Sequence, residues 1–234
     1  CAACMCLGMS LFFINDFKHV LSRILFMIPC SIAIVQSGAR TYLFPLLIIW
    51  IFLFQYRVKD VSIKLVLIPT VIIAATYFLM NSSFMQKMTF TANNTYTSSN
   101  QMTSFTSGRT DFWSIDLREF TNADLFHFLF GQGFDRVYFI NKSQYGLTIW
   151  AHNDFINTLL CNGIFGFCIY TFVIINLFFF LKIKIGTFNA FLVISYYFIV
   201  AFINGLFGYQ HYLYSFIFIF LAFYIEKNYQ RQIK

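Results

Sequence analysis

Long apolar runs separated by short polar breaks are the first feature of this chain. The runs fall at about 1–14, 20–36, 42–56, 63–80, 153–181, 188–203 and 211–225. A helix needs roughly 17 to 25 apolar residues to cross a hydrocarbon core. The pattern predicts an all-α polytopic membrane protein of about six to seven transmembrane helices. Pro29, Pro45 and Pro69 sit within or near the ends of runs. Neighbouring helices re-satisfy the carbonyls that a proline frees, so bent spans are expected there rather than broken ones. The first run is already under way at Cys1. We read it as a truncated first helix, and the chain as the C-terminal part of a longer protein.

One interruption is much longer than the others, and it divides the chain into membrane helices over 1–80, a large loop over 81–151, and membrane helices with a tail over 152–234. The loop has two parts. Between Asn81 and Ser107, 16 of 27 residues are Ser, Thr or Asn. Such a stretch buries too little apolar surface to order itself, and it reads as a flexible flap. From Gly108 onward Trp113, Leu117 and Phe120 recur at i, i+4 and i+7, with Ser107 or Thr110 as helix cap. A second short helix is expected to begin at Asn122 or Asp124 and to end at Gly131 and Gly133. These helices of the 108–151 segment read as amphipathic and as lying on the membrane surface.

Composition agrees with this picture. The chain is 59% hydrophobic, 22% aromatic and only 11% charged, where a soluble domain carries about 25% charged residues. Its net charge of +7 would suit a nucleic-acid partner if it were spread evenly, but it is not. Connections on one side hold Lys18, Arg23, Arg57, Lys59, Lys64, Lys182, Lys184, Lys227, Arg231 and Lys234 against three acids. Arg40, Lys87, Arg109, Arg118, Arg136 and Lys142 lie on the other side, balanced by six acids. The entire excess therefore falls on one side, which the positive-inside rule makes cytoplasmic. The large loop faces outward, and nucleic acid is excluded as a partner. All six cysteines lie in apolar runs, so no disulfide framework is expected.

The candidate chemistry gathers where the loop meets the membrane. His152 stands at the loop's re-entry, with Asn153 or Asp154 placed to cap the helix that follows. An imidazole titrates near neutrality and suits a general base. One interfacial histidine is ordinary; its company, Trp150, Asn153 and three outward arginines, is not. Arg40 follows a span within Ser37-Gly38-Ala39-Arg40-Thr41, Arg109 opens the first loop helix, and Arg136 follows Gly131-Gln132-Gly133. A guanidinium is planar, multidentate and always charged, which suits phosphate. His127, flanked by Leu125, Phe126 and Phe128, reads as buried, and His211 as a lesser candidate. The sequence holds no Asp-x-Asp, His-Glu-x-x-His or Gly-x-Ser-x-Gly motif, and we expect neither metal nor cofactor.

In their order, these features resemble the bacterial O-antigen ligase and O-antigen polymerase superfamily. The likeness rests on Arg40 after a span, Gly108-Arg109 with Trp113 opening the loop, Gly131-Gln132-Gly133, His152-Asn153, and Gly163 with Gly166 in the following span. Ala39 departs from the Ser often found before that arginine. The resemblance implies a metal-independent glycosyltransferase of the bacterial cytoplasmic (inner) membrane. It would move a glycan from an undecaprenyl-pyrophosphate carrier to a sugar hydroxyl on a glycan or lipid-core acceptor, in O-antigen, lipopolysaccharide or capsule synthesis. On that reading His152 is catalytic, Arg109, Arg40 and Arg136 bind pyrophosphate, and Asn153, Trp113, Gly131 and Gly133 support them. Two other classes compete: a transporter or exporter, and a non-catalytic membrane assembly protein. A transporter places its ionisable groups near the membrane midplane, whereas these runs are almost free of charge.

Overall fold

A computed structural model describes residues 8, 20–36, 40–58, 60–80, 109–146, 148–206 and 208–233. Among them all regular structure is helical. Helix α1 is Val20–Gln36. A 3₁₀ turn, Arg40–Tyr42, leads into α2, Leu43–Phe52, which loosens into a π-helical turn at Leu53–Arg57. Helix α3 is Val61–Met80. The loop supplies α4 (Arg109–Thr121), α5 (Leu125–Phe130) and α6 (Arg136–Tyr145). Helices α7 (Asp154–Ile185), α8 (Thr187–Ile203) and α9 (Gln210–Ile233) follow. The apolar runs read from 20 onward thus coincide with helices, and α1 and α3 continue through Pro29 and Pro69. The first run, apart from Gly8, and the 81–107 flap lie outside the described residues.

Among the described residues two apolar clusters join the helices other than α3, and α7 belongs to both. The larger joins Met27 and Ile34 of α1, Leu46, Ile49 and Phe52 of α2, and Leu181 of α7 to Val193 and Val200 of α8 and Phe223 of α9. The smaller joins Phe120 of α4 and Val137 and Ile140 of α6 to Leu160 and Cys161 of α7. Helix α7 is therefore the mast on which the loop helices and the helical bundle are both mounted. It is also long and apolar enough to cross a membrane, the one such helix among the described residues, and only 11% of its most apolar stretch is buried in the protein. Phe165, Ile169, Phe172, Val173, Ile175, Phe179, Phe180 and Ile183 all face outward.

Gly163 interrupts α7 with φ 66° and ψ −169°. A break of this kind strands carbonyls of the preceding turn, which in a regular helix would accept from residues four further on. The chain after α5 takes them up. Gln132 N–H donates to Leu160 O at 2.9 Å and Gly133 N–H to Cys161 O at 3.1 Å. The crossing is backbone on backbone. A Cβ on Gly131 would lie 2.2 Å from Cys161 O, and one on Gly163 would lie 2.4 Å from Leu129 O. These glycines are required by lack of room as well as by their positive φ.

Candidate functional site

The segment from Trp150 to Asp154 is clamped from two directions. Trp113 of α4, itself buried against Phe202, donates its indole N–H to Ala151 O at 2.7 Å. Asn153 caps α7, its side-chain oxygen accepting from Phe155 N–H at 3.0 Å and Ile156 N–H at 3.1 Å. Asp154 is fully buried and reaches across to the turn after α8, where its carboxylate accepts from Leu206 N–H at 2.5 Å. That turn has Gly205 at φ 75°, and a Cβ there would meet Asp154 Oδ1 at 2.9 Å. Between the clamps His152 holds φ 54°, the one positive φ on a non-glycine among the described residues. A left-handed residue of this kind costs on the order of 1 to 3 kcal/mol and persists only when its surroundings impose it. Trp113 and Asp154 are those surroundings.

Arg109 comes to the same place from the first turn of α4. Its Nη1 donates to the backbone carbonyl of Ile203, the last residue of α8, and to Asn204 Oδ1. A cation on the carbonyl end of a helix is favoured by the helix dipole. Asn204 is buried and uses its amide nitrogen as well, donating to Thr41 Oγ1 at 2.6 Å and to Tyr212 Oη at 2.5 Å. Thr41 and Tyr212 are themselves 2.6 Å apart. Asn204 thus ties α4, α8, α9 and the 3₁₀ turn that begins at Arg40 into one polar knot.

The half-buried His152 lies beside this knot. Burial, reinforced by the charge of Arg109, pushes its imidazole down to about 4, while a hydrogen bond to the Asn204 backbone pulls the other way. The ring is therefore neutral at pH 7. Tyr209, in the α8–α9 connection, stacks on it at 5.8 Å between centroids and 13° between planes, and its hydroxyl lies 3.3 Å from Nδ1.

The expected site residues separate into groups. His152, Arg109, Trp113 and Asn153 meet at the end of the bundle where α7 and α9 begin and α8 ends. Arg40 comes to that end through its neighbour Thr41; its side chain lies outside the described residues. Arg136 goes elsewhere. It pairs with Glu119, ten residues along α4 from Arg109, which is roughly 15 Å at 1.5 Å per residue, and it sits over the ring of Phe139. A cavity of about 400 Å³ opens there among Glu119, Asn122, Asp124, His127, Gln132 and Arg136. Gly131 and Gly133 serve the α5–α7 crossing. His127 is exposed, not buried as its apolar neighbours suggested. Asp124, the cap of the one-and-a-half-turn α5, holds its imidazole at the helix surface.

Sequence reasoning missed Asn204 and Tyr209 and saw Asp154 only as a possible cap. An Asn-Gly pair interrupting two apolar runs was the available signal for Asn204. One further group entered the sequence reading only among the six outward acids that balance the arginines. Asp116 of α4 is completely buried, and neither carboxylate oxygen has a hydrogen-bond partner. Burial, with Glu119 nearby, raises it to about 7. Among the described residues no three His, Cys, Asp or Glu side chains are grouped as metal ligands. No protein-family model and no curated protein sequence matches the chain.

Proposed function

We propose that this chain belongs to a polytopic enzyme of the bacterial cytoplasmic membrane. It transfers a glycan from an undecaprenyl-pyrophosphate carrier to a sugar hydroxyl during synthesis of a surface polysaccharide. The observation that carries the reading is the pairing of Arg109 with a neutral His152 on one rigid knot at one end of the bundle.

Two further observations support the membrane setting. The eight outward apolar side chains of α7 would forgo on the order of 10 kcal/mol of burial if water surrounded them. The basic residues Lys182 and Lys184 stand in the last turn of α7, at the far end from His152, and Lys227 of α9 joins them there by donating to Ile183 O at 3.0 Å. By the positive-inside rule that arrangement supports a cytoplasmic position for the positive charges and an outer one for the candidate site.

The chemistry divides between two side chains. Pyrophosphate is a capable leaving group whose departure needs its negative charge matched, and Arg109 supplies the match. The attacking hydroxyl must lose a proton, and the neutral His152 accepts it. The two roles are coupled. Arg109 is one cause of the low affinity of His152 for protons, so a pyrophosphate seated on Arg109 cancels that charge and strengthens the base. The base is then weak until the donor is in place, which limits loss of the activated glycan to water.

The test uses membranes containing the protein, a lipid-linked glycan donor and an acceptor glycan. His152→Ala should lower transfer by roughly 10² to 10⁴ and still retain donor. Arg109→Lys keeps the charge but loses the guanidinium fork, and should bind donor weakly. Wild-type transfer by His152→Ala would end the proposal.

A further inference from the structure

We infer that the proton leaving the acceptor hydroxyl reaches His152 through the phenol of Tyr209. This rests on the transfer reading above and assigns Tyr209 as a catalytic residue of the same site. The argument begins with the two ring nitrogens. A neutral imidazole carries one N–H donor and one lone pair. The hydrogen bond to the Asn204 backbone favours the protonated ring, so the imidazole is its donor. Nδ1 faces Tyr209 Oη at 3.3 Å. The relay assigns the Nδ1 lone pair as acceptor of the Tyr209 hydroxyl, which leaves the ring hydrogen on Nε2.

The lone pair that makes His152 a base is then already engaged by a phenol. The geometry keeps it there. The backbone of His152 is fixed by the Trp113 and Asp154 clamps. The Tyr209 ring is stacked on the imidazole and held edge-on by His211 and Tyr212 at 5.6 and 5.9 Å. Its amide N–H also reaches Leu206 O at 3.4 Å. With that lone pair occupied, an acceptor proton reaches it by way of the Tyr209 oxygen.

The step balances without a co-reactant beyond donor and acceptor. The acceptor oxygen forms its bond to the anomeric carbon as the carbon–oxygen bond to pyrophosphate breaks, and that electron pair leaves on the pyrophosphate held by Arg109. The acceptor proton passes to the Tyr209 oxygen while the phenol's own proton passes to His152 Nδ1. The phenol is regenerated in the same step, and the imidazolium later releases its proton to solvent.

The test joins spectroscopy to kinetics. Nitrogen NMR of the histidine-labelled protein in detergent, with the His152 signals assigned by their loss in His152→Gln, should show a protonated Nε2 and a bare, hydrogen-bonded Nδ1. Tyr209→Phe keeps the stacked ring and removes only the hydroxyl. It should abolish the hydrogen-bond shift at Nδ1, lower the transfer rate on the order of 10²-fold, and leave donor binding unchanged. A protonated Nδ1 in the wild type, or a normal rate in Tyr209→Phe beside an inactive His152→Ala, overturns the relay and leaves the transferase reading standing. A wild-type protein that transfers nothing removes both.

Discussion

Replacing Gly131 by alanine isolates what the α5–α7 crossing is worth. The new Cβ would lie 2.2 Å from Cys161 O, 2.3 Å from Cys161 C and 2.4 Å from Asn162 N, all backbone atoms that cannot swing aside. Reaching ordinary contact requires the two segments to part by about 1 Å. The hydrogen bonds from Gln132 and Gly133, now 2.9 and 3.1 Å, would then exceed bonding distance. Each lost bond costs about 1 kcal/mol, and a carbonyl left buried without a partner about 1 to 3 more. The left-handed φ of 85° adds the strain of a non-glycine residue there, of order 1 kcal/mol or more. With two bonds lost, one carbonyl left without a partner and the strain, the sum is about 4 to 6 kcal/mol. Gly133→Ala is the control: its φ is 88°, but a Cβ there meets nothing within 4 Å, so it carries the strain alone. Cys161 reports the difference, being buried beneath the crossing, while the exposed Cys168 serves as reference. With the other cysteines replaced, alkylation of Cys161 in detergent follows the population of the opened crossing. At tenfold per 1.4 kcal/mol, Gly131→Ala should react on the order of 10³ to 10⁴ times faster than wild type, and Gly133→Ala no more than about tenfold faster. Equal rates in the two variants would show that the close approach contributes nothing.

Three other outcomes follow from the same residues. With native cysteines replaced, Thr97→Cys should label with an impermeant maleimide in intact cells and Asp60→Cys should not; the reverse pattern inverts the orientation. Trp113→Phe keeps an aromatic ring on Phe202 but frees Ala151 O, so transfer should fall about tenfold or more, in kcat rather than in donor affinity; an unchanged kcat would deny Trp113 its hold on His152. Asp116 and His152 shift in opposite directions, so their effects on pH-dependent stability oppose. The folded protein keeps a proton on Asp116 up to about 7 while the unfolded chain loses it near 3.8, so this group lowers stability as pH rises between those values. His152, pushed down to about 4, binds its proton more readily unfolded, so its contribution is lost as pH falls from 6.5 toward 4. Asp116→Asn should therefore stabilise the protein above pH 7 by at most about 4 kcal/mol and leave a stability that rises with pH between 4 and 6.5; a variant no more stable than wild type at pH 8 refutes the buried, unpartnered carboxylate.

The helices from Val20 onward were legible because apolar runs bounded by charge or Gly–Asn pairs admit little else. Their detailed ends were partly legible too: of two candidate caps, Asn153 and not Asp154 takes the α7 N-terminus, which frees Asp154 to reach Leu206. What could not be read is what depends on approach between distant segments. Gly131 and Gly163 were visible as glycines, but nothing in the sequence says that each makes room for the other's chain. Arg136 looked equivalent to Arg109 until α4 separated them, one at each end. His127 misled for a related reason: three apolar neighbours imply burial only if the helix packs on all sides, and α5 is too short to do so. Asn204 and Tyr209 draw their roles from Arg109 and His152, which lie 95 and 57 residues away.

The backbone crossing also has a bearing on biosynthesis. The groups that complete the broken ladder of α7 come from residues made before it, in the loop that precedes it along the chain. On the proposed membrane topology, with the chain threaded into a bilayer from its N-terminus, that loop is exported ahead of α7. The first turns of α7 then find their missing donors waiting on the far side, and a helix that would be poorly satisfied alone is completed on arrival. On that topology, insertion in the opposite order would leave the Leu160 and Cys161 carbonyls without their donors, and the direction of synthesis would favour the productive route.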